Sequence, residues 1–184
     1  TGASSAYLPF QLRTKMMRRL ISCFLTIFLF ASVGHAGEPR PVTLDPVTHR
    51  AASLSVTGVD GSVVTYTPSD LENMQTYALE TTTPWRQDVT LFEGVLLKDV
   101  LAASGLMDVD VIEVLAENDY AITIPDDVWE VAPVMVATRA NGKPLTRRDR
   151  GPLLFVIPAE YFAKHDVITN SHLVWMAASI APVE

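Results

Sequence analysis

The chain has one cysteine, Cys23, and none from Gly37 to Glu184. That long stretch therefore offers no disulfide, no thiolate nucleophile and no thiolate metal ligand. Its fold must rest on an apolar core alone, which a domain of this length can supply. Other signatures are missing too. No Gly-x-Gly-x-x-Gly, P-loop or Gly-x-Ser-x-Gly occurs, which removes the common dinucleotide, nucleotide and hydrolase motifs. His49, His165 and His172 share no metal-ligand spacing and no His-Glu-x-x-His is present, so they read as surface or capping residues, not as a zinc site. Positive charge is scarce. Four of the 14 basic residues precede position 37, leaving ten against all 21 acidic ones, a formal charge of −11. Nucleic acid and anionic membrane both require a net basic surface, so neither is expected as a partner. One stretch runs against this balance: Arg139, Lys143, Arg147, Arg148 and Arg150 carry half of the remaining positive charge.

What is present begins with an export pattern. Met16-Met17-Arg18-Arg19 is a short positive start, Ile21 to Val33 is apolar, and Gly34-His35-Ala36 has small residues where a signal peptidase cuts. The apolar run is too short for a membrane-spanning helix, which needs about 20 residues. Residues 1–15 read as an upstream extension, 16–36 as a signal peptide, 37–50 as an aperiodic lead-in arm and 51–184 as one domain, with the periplasm as destination.

Along that domain, Ser53–Thr57 and Val63–Tyr66 flank Asp60-Gly61, a dipeptide of tight hairpins. Thr67-Pro68-Ser69-Asp70 predicts the start of a short helix, and Thr76–Thr81 alternates like a strand. Gly94 is expected to open a helix from Val95 to Ser104, with Leu97, Val100 and Leu101 on one face and Gly105 as its stop. Asp126-Asp127 predicts another helix start. Val111–Ala116, Ala121–Ile124, Val134–Thr138, Leu153–Ile157 and Leu173–Ala178 predict strands, with Asn141-Gly142 as a second hairpin signal. The class is α+β, with a mostly mixed or antiparallel sheet and a few short helices.

Four pieces in order carry a resemblance: Gly94-Val95-Leu96-Leu97-Lys98-Asp99-Val100-Leu101, Glu117-Asn118-Asp119-Tyr120, Asn141-Gly142-Lys143-Pro144-Leu145 and Gly151-Pro152-Leu153 through Pro158. In this order and spacing the chain resembles the molybdopterin-binding domain of the sulfite oxidase family, over roughly Thr76 to Ile180. The resemblance implies that family's fold. It also implies a cysteine thiolate on molybdenum, in the strand before the Gly-Val helix. Here that region reads Tyr77-Ala78-Leu79-Glu80-Thr81-Thr82-Thr83-Pro84-Trp85-Arg86. A threonine hydroxyl is protonated and hard, a poor replacement for a soft thiolate. Size, export and the missing ligand are similar to the cysteine-free periplasmic pterin-binding proteins of the PruR type. That likeness implies a pterin ligand, no molybdenum, no catalysis, and partnership with the periplasmic domain of a membrane-bound diguanylate cyclase/phosphodiesterase. The alternatives are a molybdopterin-dependent oxidoreductase with a non-cysteine metal ligand and a ligand-free interaction domain.

A pterin is a flat polar bicycle. It asks for an aromatic or guanidinium face, a carboxylate for its N3–H and 2-amino donors, and donors for O4 and N5. Trp85 is either that face or a core residue beneath its loop. Asn118, Asp119 and Tyr120 offer amide, carboxylate and phenol, or form a plain turn. Arg139 ends a strand as a candidate donor. Of the basic loop, Asp149 and one of Arg148 or Arg150 are the expected contacts, the remaining arginines being solvated. Trp129 and Trp175 are expected in the core.

Overall fold

Thr67 starts its helix by a reciprocal cap. Its side chain accepts the Asp70 N–H, while the Asp70 carboxylate accepts the Thr67 N–H at 2.8 Å. The computed structural model describes residues 1–2, 37–49 and 52–183, so the signal-peptide pattern and Cys23 lie outside the described residues. The strands are β1 (Arg40–Val42), β2 (Leu54–Thr57), β3 (Val63–Tyr66), β4 (Thr76–Thr83), β5 (Arg86–Leu96), β6 (Val111–Ala116), β7 (Ala121–Pro125), β8 (Met135–Ala140), β9 (Lys143–Pro144), β10 (Leu154–Val156) and β11 (Ala177–Pro182). The helices are α1 (Pro68–Leu71), α2 (Leu97–Ala103), α3 (Asp126–Val131) and α4 (Ala159–Lys164).

These form an α+β fold with two sheets. One has the order β1-β4-β5-β8-β10, with β9 hairpinned to β8, and is antiparallel throughout. The other has the order β3-β2-β11-β6-β7, parallel only between β2 and β11. The arm read as aperiodic supplies an edge strand, with Arg40 opposite Ala78. Inward positions of both sheets join in one core that includes Val56, Ile112, Val136, Phe155 and Ile180, with Leu97, Leu101 and Trp129 from the helices. Trp129 is thus a core residue, as expected. A smaller cluster of Leu79, Phe92, Met135, Leu145 and Leu154 lies apart from it, and strand β8, which feeds both, is buried along nearly its whole length.

Three expectations give way. Asn141 and Gly142, both at positive φ, form a two-residue turn, but Asp60-Gly61 does not, because Thr57 pairs with Val63 across a longer loop. The helix expected from Val95 starts instead at Leu97, and Gly94 lies inside β5 at a register shift. Gly94 is there for closeness: a Cβ would collide with the Val136 carbonyl oxygen of the neighbouring strand. Gly94→Ala is therefore expected to cost about 1–3 kcal/mol, read as a lowered urea midpoint. Finally, of the run Leu173–Ala178 only Ala177 and Ala178 are strand, as the start of β11. A 3-10 turn at Asn170–His172 and the positive φ of Met176 break the extended path, leaving only a bridge between Trp175 and Leu154 before β11.

Candidate functional site

Three segments converge on one groove of about 350 Å³. The β4–β5 connection is a two-residue turn, Pro84-Trp85, between the paired Thr83 and Arg86. The β6–β7 turn brings Asn118 and Tyr120. The irregular run after α4 brings Asn170, Ser171, Leu173 and Trp175. Backbone hydrogen bonds fix their relation: Phe155 N–H to Val174 O at 2.9 Å, Ala177 N–H to Leu153 O at 3.0 Å and Glu117 N–H to Met176 O at 2.9 Å. The Tyr120 hydroxyl closes the rim by donating to Ser171 O at 3.0 Å.

The groove's floor is aromatic. Trp85 and Trp175 meet edge to face at 5.1 Å. The Arg150 guanidinium lies over both, 4.8 Å from the Trp85 ring and 4.3 Å from that of Trp175. Arg150 and Met176 both adopt left-handed backbone, at φ 67° and 53°, and Met176 N–H donates to Arg150 O at 3.0 Å. Two such residues without a glycine store strain of the kind that clusters at ligand clamps. Arg150 Nε is buried and has no acceptor among the described residues.

The structure thus brings Trp85, Asn118, Tyr120 and Arg150 together. Four other expected contacts stand elsewhere. Arg139 is buried in an ion pair, its Nε and Nη2 donating to the Glu72 carboxylate at 2.9 and 2.6 Å and Nη2 also to Asp45 O at 2.8 Å. Asp119 sits at φ 63° and holds the β6–β7 turn through its N–H to Ala116 O, leaving its carboxylate outside the groove wall. Asp149 is spent on a cap, its Oδ2 accepting the Thr146 hydroxyl at 2.6 Å, with Arg86 3.8 Å from Oδ1. Arg148 is exposed and away from the groove, and Arg147 pairs with Glu117 at 2.8 Å. Trp175, expected in the core, is 37% exposed at the groove. Asn170, Ser171 and Leu173 went unread as well. The available signal was the polar Thr169-Asn170-Ser171-His172 run directly before Leu173-Val174-Trp175, a turn composition that interrupts a strand.

The groove wall carries no carboxylate, so the Asn118 and Asn170 amides and the Ser171 hydroxyl are groups able both to accept and to donate at a ring edge. His172 has a capping role: it is buried, which lowers its pKa, and its Nδ1 accepts the Thr169 N–H at 3.3 Å.

Residues 40–166 match the family described as the oxidoreductase molybdopterin binding domain, well over half of the chain. The chain belongs to that family. Among solved structures, the sulfane dehydrogenase SoxCD from Paracoccus pantotrophus is similar, with a TM-score of 0.55 and 17% identity. That likeness covers 76% of this chain and 40% of the dehydrogenase chain, so this chain spans less than half of the larger protein. No curated protein matches.

The two halves of the molybdopterin cofactor fit this family member unequally. A flat ring suits the indoles, the guanidinium and the amides of the groove. For the metal, no three His, Cys, Asp or Glu side chains converge among the described residues. The strand that leads into the groove presents the neutral, hard hydroxyls of Thr81 and Thr83, not a soft thiolate. Those hydroxyls do not fit the place of a soft thiolate donor.

Proposed function

We propose that this chain is an exported pterin-binding protein that has kept the ring-binding half of its family's cofactor site and carries no molybdenum and no catalytic activity. The observation that carries the reading is the Trp85–Trp175 floor capped by Arg150, in a groove within the size range of small-molecule sites and without a metal-ligating side chain. Stacking on an indole adds about 0.5–1.5 kcal/mol beyond simple burial. The Arg150 guanidinium, stacked on both indoles, supplies donors for O4 or N5 of the ring. The charge pattern of residues 16–36 supports the periplasm as destination. By the likeness to PruR-type proteins, the protein relays pterin occupancy to the periplasmic domain of a membrane-bound diguanylate cyclase/phosphodiesterase.

The test is to express the full chain in a host that makes molybdopterin and to purify the exported protein. On unfolding it is expected to release a compound with the fluorescence and mass of a pterin, with molybdenum far below one atom per chain. Stoichiometric molybdenum overturns the reading, as does the combination of no released pterin and no shift in melting temperature with oxidised or reduced pterins. The relay has its own readout. Pterin-loaded protein is expected to co-purify with the periplasmic domain of such a cyclase, and equal recovery with and without pterin removes that part.

A further inference from the structure

A second cleft of about 200 Å³ opens beside the groove and shares Pro84, Asn170 and Leu173 with it. Its apolar side comes from Ile157 and Phe162, and its polar side from Thr82, Thr83 and Gln87. Thr83 is 5% exposed, and its Oγ1 is buried with no hydrogen-bond partner among the described residues. The other buried threonines set the contrast. Thr76 donates to Val42 O, Thr90 to Asp88 O and Thr138 to Glu72. Thr81, two residues away on the same strand, donates to Thr82 O and accepts the Ala159 N–H at 2.9 Å. An unmet buried hydroxyl is costly, and a fold that satisfies four of five threonines leaves the fifth for something that enters the cleft. Gln87 points the same way. Its Nε2 reaches Thr83 O and Pro84 O only at 3.5 Å each, so the amide has capacity to spare.

The cleft has no Lys, Arg, Asp or Glu among the residues that line it, and Arg150 lies over the indoles of the groove. A phosphate entering the cleft would lose its hydration without meeting a cation, whereas hydroxyls would meet Thr83, Gln87 and Asn170. Resting on the pterin reading above, we propose that this cleft is a subsite for a short, uncharged, hydroxyl-bearing substituent of the ring held in the groove, with Thr83 Oγ1 as its hydrogen-bond partner.

The test titrates the full-length protein with unsubstituted pterin, with neopterin, whose ring carries a trihydroxypropyl arm, and with neopterin phosphate. Neopterin is expected to bind about 5- to 10-fold more tightly than pterin, the gain of one or two neutral hydrogen bonds, and neopterin phosphate more weakly than neopterin. In Thr83→Val, which keeps the side chain's shape, the neopterin-to-pterin ratio is expected to collapse toward one. The variant is also expected to melt no lower than the parent, because the hydroxyl it removes has no partner inside the fold. Equal affinity for pterin and neopterin, a ratio unmoved by Thr83→Val, or a clear fall in melting temperature overturns the subsite while the pterin reading stands. Binding of none of the three compounds overturns both.

Discussion

Glu72→Ala is expected to destabilise the protein by about 3–5 kcal/mol, the cost of leaving a buried guanidinium without its counter-charge. The Arg139 and Glu72 side chains are only 5% and 8% exposed and meet at 2.6 Å. The carboxylate accepts two bonds from Arg139 and one from the Thr138 hydroxyl, and Arg139 also reaches Asp45 O. One pair thus ties helix α1 and the arm to strand β8. The cost belongs to the orphaned partner, so a double variant, Glu72→Leu with Arg139→Met, is expected to recover much of the loss. The pair also sets an acid limit. Burial pushes the Glu72 carboxyl up, but the bonds from Arg139 and Thr138 together outweigh it and hold the group below its usual 4.5. A depressed carboxyl stabilises the fold above the unfolded value, and that contribution is lost as pH falls through the folded one. Urea midpoints of the parent are therefore expected to drop below about pH 4.5, and the double variant is expected to lack this component. Identical acid profiles for the two proteins, or a Glu72→Ala midpoint near that of the parent, contradict the assignment.

This ion pair also marks where sequence reading stopped. Arg139 reads as a site donor because it ends a strand amid basic residues. Its partner Glu72 lies 67 positions away, just before β4, and the successive pairings of β4 with β5 and β5 with β8 bring them together. The strands with clean alternation, β2 and β6, were legible, as was the capped start of α1, because periodicity and capping are local. Gly94 was legible as special but misread, since a glycine that opens a helix and one that admits a neighbouring carbonyl look alike until the neighbour is known. Within the site, Trp85 and Arg150 stood out through composition and position. Trp175 did not, because its exposure follows from the left-handed turn at Met176, a residue with no sequence signature for that conformation. Asp119 and Asp149 drew attention as carboxylates near a polar ligand, yet both sit at turns that their own residue type favours.

Trp175→Ala is expected to weaken pterin binding by about 30-fold or more, the scale of a hot-spot aromatic lost from a contact site, with little change in melting temperature. Trp85→Ala is expected to lose comparable affinity and some stability as well. The difference follows from packing. Trp175 stands half in solvent at the groove, whereas Trp85 is partly buried and rests against both apolar clusters of the domain. The two indoles and Arg150 form one stack, so their losses are not expected to add: in the double tryptophan variant the second removal finds a floor already broken. Arg150→Lys separates shape from charge. It keeps the positive charge but forfeits the planar face and the Nε–H, so it is expected to bind less tightly than the parent even at low salt. Quenching of tryptophan fluorescence reads the single variants, because an indole still touches the groove in each, and the ligand's own fluorescence reads the double variant. If Trp175→Ala binds pterins as the parent does, the ring does not lie on this floor. The strain held at Arg150 and Met176 then has to be explained by a surface that meets a protein and not by a pocket that meets a ring.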